Sequence, residues 1–163
     1  MGFARARFRI QGASGQVSGE ALVDTGALMT VVDEALSSSL GLRPTGRTIR
    51  LTTLSGHEVI CKEALSELLE LEGETLLAER VAVCALPEQV KEKLRELGVH
   101  EGILIGTITL EAAGFVVDPV TGRLRRAGWL ALGPRARPRV WHPLSPPGRC
   151  HGPRCPSGTH EPP

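Results

Sequence analysis

Leu22-Val23-Asp24-Thr25-Gly26-Ala27, followed by Met29-Thr30-Val31-Val32, decides how the rest of this chain is read. An apolar run ends on an acid, a small hydroxyl residue and a glycine, and then resumes. The pattern predicts a carboxylate in a tight turn at the end of a buried strand. The Thr25 hydroxyl is then free to hydrogen-bond across to a partner loop, and Gly26 lets backbone approach backbone with no Cβ in the way. A carboxylate held in this manner suits the activation of a water molecule.

Upstream, Phe3-Ala4-Arg5-Ala6-Arg7-Phe8-Arg9-Ile10 alternates with near-strict period two and predicts a half-buried strand. Residues 12–19 read as a turn region leading into the strand that ends at Asp24. Downstream, Asp33 is placed to cap a short helix through Leu40, which Gly41 stops. Arg50-Leu51-Thr52-Thr53-Leu54, Ser55-Gly56 and His57-Glu58-Val59-Ile60-Cys61 read as a glycine-tipped hairpin. Residues 65–71 and 76–84 are expected as two more strands joined around Glu72-Gly73-Glu74, although leucine and glutamate in the first also favour helix. Pro87 with Val90, Leu94, Leu97 and Gly98 predicts a short amphipathic helix over 88–97. Gly102-Ile103-Leu104-Ile105-Gly106 reads as a buried strand running into a helix over 107–114. Phe115-Val116-Val117-Asp118-Pro119, a turn at Thr121-Gly122 and Arg123-Leu124 complete a last hairpin, with Asp118 as turn chemistry.

The 163 residues suit one domain with an ordinary core, and a formal net charge of +1 gives no global pull toward nucleic acid or a membrane. No apolar run approaches the roughly 18 residues of a membrane span, and no signal-peptide core follows the N-terminal Met-Gly-Phe-Ala-Arg-Ala-Arg. Four dispersed cysteines do not make a secreted disulfide framework. The expectation is a cytoplasmic protein in a reducing compartment, with Cys61 and Cys84 as small buried hydrophobes. The chain has no Asn and no Tyr, and far more Arg than Lys, which fits equally a heat-adapted source or a GC-rich genome.

Composition shifts near Gly133. Residues 1–133 read as the folded domain, and 134–163, rich in proline and arginine and poor in aliphatics, as a disordered tail. Cys150, His151, Cys155 and His160 in that tail lack the paired spacing of structural zinc sites, so no metal is expected there. Arg135, Arg137 and Arg139 read as a solvated linker. No internal repeat supplies a second Asp-Thr-Gly.

The ordered set Leu22 to Ala27, the hairpin around Gly56, Ile103-Leu104-Ile105-Gly106 with Leu110 and Gly114, then Val117-Asp118-Pro119 and Gly122-Arg123-Leu124 resembles the retropepsin family. These are single-domain, retroviral-type aspartic proteases, and the resemblance covers roughly residues 3–125. It implies an all-β acid-protease barrel with one or two short helices, active as a homodimer. It implies Asp24 as the catalytic carboxylate, Thr25 as a lock between two active-site loops, and Gly26 and Ala27 as lining of the substrate cleft. Residues 50–62 become a flap over an extended peptide, with Ser55, Gly56 and His57 at its tip. His57 itself reads as an exposed hairpin residue.

In retroviral members an Arg usually follows the glycine that matches Gly106 and pairs with an Asp soon after the catalytic triplet. Here those places hold Thr107 and Leu28, and loss of both partners together leaves no buried charge unpaired.

Hydrolysis by this route needs two carboxylates sharing one proton, whose like charges split the pair's titration into two steps, as is known for aspartic proteases. The chain has three aspartates, Asp24, Asp33 and Asp118, and one Asp-Thr-Gly. The second carboxylate is therefore expected from a second copy. The expected activity is peptide hydrolysis without cofactor, acting on a peptide or protein, with no nucleic acid or membrane partner. The alternative is a catalytically silent relative that binds peptides or mediates dimerisation, and a small-molecule binder on the same barrel is a third reading.

Overall fold

The protein is seen here as a computed structural model that describes residues 4–52 and 58–127. The fold is all-β with three short helices among the described residues. β1 (Ala4–Gln11) and β2 (Gln16–Val23) pair antiparallel in a hairpin closed at Gln11 and Gln16. The turn is thus shorter than the sequence suggests. Gly19 belongs to β2, opposite Phe8, where a Cβ would stand 3.7 Å from the Phe8 ring. That is ordinary contact, so this glycine sits within the strand and does not mark a turn.

After Asp24 the chain crosses to β3 (Val31–Asp33) and α1 (Glu34–Leu40). Asp33 caps α1 by accepting the Ala35 N–H at 3.1 Å. Gly41 ends the helix in the left-handed conformation, φ 67°, as expected from its lack of a side chain. β4 (Arg43–Thr52) and β5 (Glu58–Leu65) form a long antiparallel hairpin with an irregularity between Pro44 and Thr48. Its tip, with Ser55, Gly56 and His57, lies outside the described residues.

β6 (Leu68–Leu71) and β7 (Glu74–Leu77) form a short hairpin, so strand wins over the helical preference of its leucines and glutamates. Residues 76–84 are not one strand. The chain breaks at Ala78, φ 52°, and continues as β8 (Arg80–Cys84). The two pieces serve distant parts of the sheet, and a single strand cannot reach both.

α2 (Glu88–Glu96), β9 (Ile103–Ile105), α3 (Thr107–Ala112), β10 (Phe115–Val117) and β11 (Leu124–Arg126) follow in the expected order. The main sheet runs β4-β5-β8-β3-β9-β2-β1-β6-β7, and β10 with β11 forms a separate pair. β9 pairs parallel with β2 and antiparallel with β3. The strands that enter and leave the Asp24 loop are therefore joined through β9.

Ile10, Leu69, Leu71, Ile103 and Ile105 are fully buried in the main core, each contributing roughly 1.5–3 kcal/mol relative to exposure. The exposed cross-strand pair Arg7–Glu72 and its part-buried neighbour Arg9–Glu70 join β1 to the β6 end of the sheet. Pairs of the exposed kind stabilise by about 0–1 kcal/mol each, so burial of the aliphatic face fixes the register. A second cluster of Val31, Cys61, Ala82 and Cys84 packs with Met29, Ile49, Leu51, Val59, Leu86 and Leu104. It connects the β4–β5 hairpin to the segment just after the Asp24 loop.

Cys61 and Cys84 form a disulfide between β5 and β8, with Cα atoms 4.8 Å apart. Both are buried, as small hydrophobes would be, but the bond between them corrects the expectation of a reducing compartment without disulfides. Lys62 stands opposite Val83 in the β5–β8 ladder, so Cys61 and Cys84 are cross-strand neighbours on one face. That proximity follows from sheet order and has no signature in their sequence spacing. No helix among the described residues is long and apolar enough to cross a membrane.

Candidate active site

Asp24 is the first residue after β2, half-buried at the mouth of the loop. Its N–H donates to the Ile105 carbonyl at 2.9 Å, which ties the loop's entry to β9. Its carboxylate Oδ1 accepts the Gly26 N–H at 2.9 Å, and its carbonyl accepts the Ala27 N–H at 3.1 Å. The turn thus closes on the aspartate itself. A Cβ on Gly26 would stand 3.2 Å from Asp24 Oδ1, closer than side-chain contacts usually come.

The far side of the loop hangs from the start of α3. Thr107 N–H donates to Ala27 O at 2.9 Å and Ile108 N–H to Leu28 O at 3.0 Å. The Thr107 hydroxyl donates to the Thr25 carbonyl at 3.3 Å. Thr107 and Leu28, the two departures from the retroviral pattern, are thus joined to the same framework by a hydroxyl and by backbone. A charged pair is not needed to close this corner.

Gly106 lies immediately below. Its N–H donates to Thr30 Oγ1 at 3.1 Å, and Thr30 in turn lies 2.8 Å from Thr109 Oγ1. Both threonines are fully buried. Neither stands out in the sequence as a site residue. A buried hydroxyl needs a partner, but nothing in their spacing says that the partner of Thr30 is Thr109.

The sequence-predicted residues Asp24, Thr25, Gly26 and Ala27 therefore share one loop. Thr25 and Gly26 are exposed, and Leu28 beside them is 64% exposed. Ile108, bonded through its backbone to Leu28, is 39% exposed, so the loop carries an exposed apolar side chain beside a second one at the start of α3.

The other two aspartates are committed elsewhere. Asp33 accepts from the N–H groups of Ala35 and Leu86 and pairs with Lys91 Nζ at 3.0 Å. Burial acts to raise its pKa, but the Lys91 hydrogen bond, the two backbone hydrogen bonds and the Lys91 charge together hold it below the ordinary carboxylate range. Asp118 accepts from the Val120 and Thr121 N–H groups in its own turn, and these bonds likewise hold its pKa down. No cluster of metal-ligating side chains occurs among the described residues.

The family model described as aspartyl protease matches residues 6–107, which include β2, the Asp24 loop, the β4–β5 hairpin and β9. No curated protein matches the chain.

Proposed function

This chain belongs to the aspartyl protease family, and we propose that it is a retropepsin-type endopeptidase in which Asp24 of two identical chains activates one water. The observation that carries this reading is the division of labour among the three aspartates. Asp33 is held by a helix cap and Lys91 and Asp118 by two N–H groups of its own turn, whereas Asp24 is half-buried in a loop braced on both sides by β9 and the start of α3. One chain then supplies one carboxylate, and a second copy supplies the other.

In this mechanism the ionised Asp24 draws a proton from the water as its oxygen attacks the scissile carbonyl carbon. The protonated Asp24 of the other chain gives its proton to the carbonyl oxygen. When the tetrahedral intermediate collapses, the C–N bond breaks and the leaving nitrogen takes up a proton. No metal and no side-chain nucleophile enters this route. Thr25 bonds across to the other loop, Gly26 and Ala27 line the cleft, and the β4–β5 hairpin, tipped by Ser55, Gly56 and His57, closes over the peptide and excludes water. The exposed Leu28 and Ile108 beside the loop support a second copy docking there.

A cytoplasmic location is part of the same proposal. The Cys61–Cys84 disulfide restricts that proposal to a compartment whose redox state leaves the bond intact.

The test is cleavage of a mixed peptide library by the purified protein, with and without Asp24→Asn and with a chelator. The reading requires cleavage that survives chelation and vanishes in Asp24→Asn. Cleavage retained by Asp24→Asn would overturn it. A peptide bound but never cut would instead favour the silent peptide-binding relative.

A further inference from the structure

The hydrogen bonds beneath the Asp24 loop do not stop at Thr109. They continue to a carboxylate in the turn between β7 and β8, with Thr109 Oγ1 2.9 Å from Glu79 Oε1. The Thr109 hydroxyl donates its single hydrogen to Glu79, so toward Thr30 it can only accept, while Thr30 takes the Gly106 N–H on a lone pair. Thr30 therefore donates to Thr109 and Thr109 donates to Glu79, so one acid orients both hydroxyls.

Glu79 is itself firmly placed. The Ser66 N–H and hydroxyl both donate to its carbonyl, at 3.0 and 3.3 Å, and the preceding Ala78 N–H donates to Glu67 O at 3.2 Å. Ala78 has φ 52°, a left-handed conformation that a residue with a side chain adopts only where its surroundings impose it. This turn between β7 and β8 aims the carboxylate inward.

We propose that Glu79 is a positioning residue for the Asp24 loop, acting through Thr109 and Thr30 on Gly106. The Gly106–Ile108 segment carries three of the backbone and hydroxyl contacts that hold residues 25–28. Glu79→Leu leaves the two hydroxyls with only each other, so Thr30 and Thr109 can exchange donor and acceptor roles and one O–H stays unsatisfied, and the segment loosens with them. Glu79→Gln keeps a carbonyl oxygen for Thr109 and preserves the order. As a claim about catalysis this rests on the peptidase reading above.

Two measurements test it. In hydrogen exchange, Glu79→Leu should speed the Gly106 and Thr107 amides by roughly tenfold or more relative to Ile10 in β1, with Glu79→Gln close to wild type. Equal exchange in all three proteins would overturn the proposal. In peptide cleavage, corrected for folded protein, Glu79→Leu should lower kcat by roughly 10- to 100-fold with KM nearly unchanged, and Glu79→Gln should restore most of it. An unchanged kcat beside a lowered unfolding midpoint would mean that Glu79 serves stability alone. If the wild-type protein cleaves no peptide, the peptidase reading fails, and the exchange result still decides whether Glu79 orders the loop.

Discussion

Gly106 lies directly beneath the peptide bond joining Met29 to Thr30, so close that no side chain fits between them. A Cβ at position 106 would overlap the Met29 carbonyl and stand 2.7 Å from the Thr30 nitrogen. Because those atoms are backbone, they cannot swing aside as a side chain would. Gly106→Ala should therefore push the loop outward, at a cost of about 1–3 kcal/mol for the overpacking. A displacement near 1 Å at the reacting group loses on the order of 10²-fold in rate. Thermal melting and peptide cleavage measured together check this, and wild-type values for both would show that the contact yields freely.

Asp24→Asn should lower peptide hydrolysis by roughly 10²–10⁴-fold or more while leaving the melting transition near wild type, since shape and most hydrogen bonding are kept. Mixed with wild-type chains it should do more harm than dilution. If each dimer needs two Asp24 carboxylates, an equal mixture retains about a quarter of full activity, against half for independent chains. Activity strictly proportional to the wild-type fraction would place the second acid within one chain.

Reducing the Cys61–Cys84 disulfide, or replacing either cysteine with serine, should destabilise the fold by about 3 kcal/mol on the chain-entropy account for a sequence separation of 23 residues. Denaturant titration with and without reductant measures the difference. Coincident curves would mean that burial of the two sulfurs beside Val31 and Ala82 is sufficient without the bond.

Asp33 gives the fold an acid limit. Its native pKa is depressed, so the pairing with Lys91, Ala35 and Leu86 adds stability that is present above the ordinary Asp value of about 3.9 and is lost as pH falls through the native pKa. Asp33→Asn should then cost most near neutral pH and progressively less below about pH 4. A penalty independent of pH would mean that charge at this position contributes nothing.

Much of this was legible in the chain because it depends on neighbours in sequence. Asp33 and Gly41 bracket α1 through local capping chemistry, and Asp24-Thr25-Gly26 makes its own turn. What could not be read depends on sheet order. The Cys61–Cys84 bond and the Thr30–Thr109 contact each join segments brought together only once β8 and α3 are in place. Ala78 is harder still, because its left-handed backbone is imposed from outside and an alanine gives no local hint of it. Gly19 misled in the opposite direction, since it lies within β2 opposite Phe8 and marks no turn.

β2 and β3 are joined by the Asp24 loop yet do not pair with each other; β9 fills the place between them. Closing that gap needs a partner from much later in the chain, and such distant pairings form slowly because the loop entropy is lost before any contact compensates for it. During synthesis, residues 1–102 can emerge in full while the loop still lacks the strand and helix start that brace it. The loop that carries Asp24 is thus fully braced only after Ile108 has been added, so the order of synthesis leaves its completion to a late step.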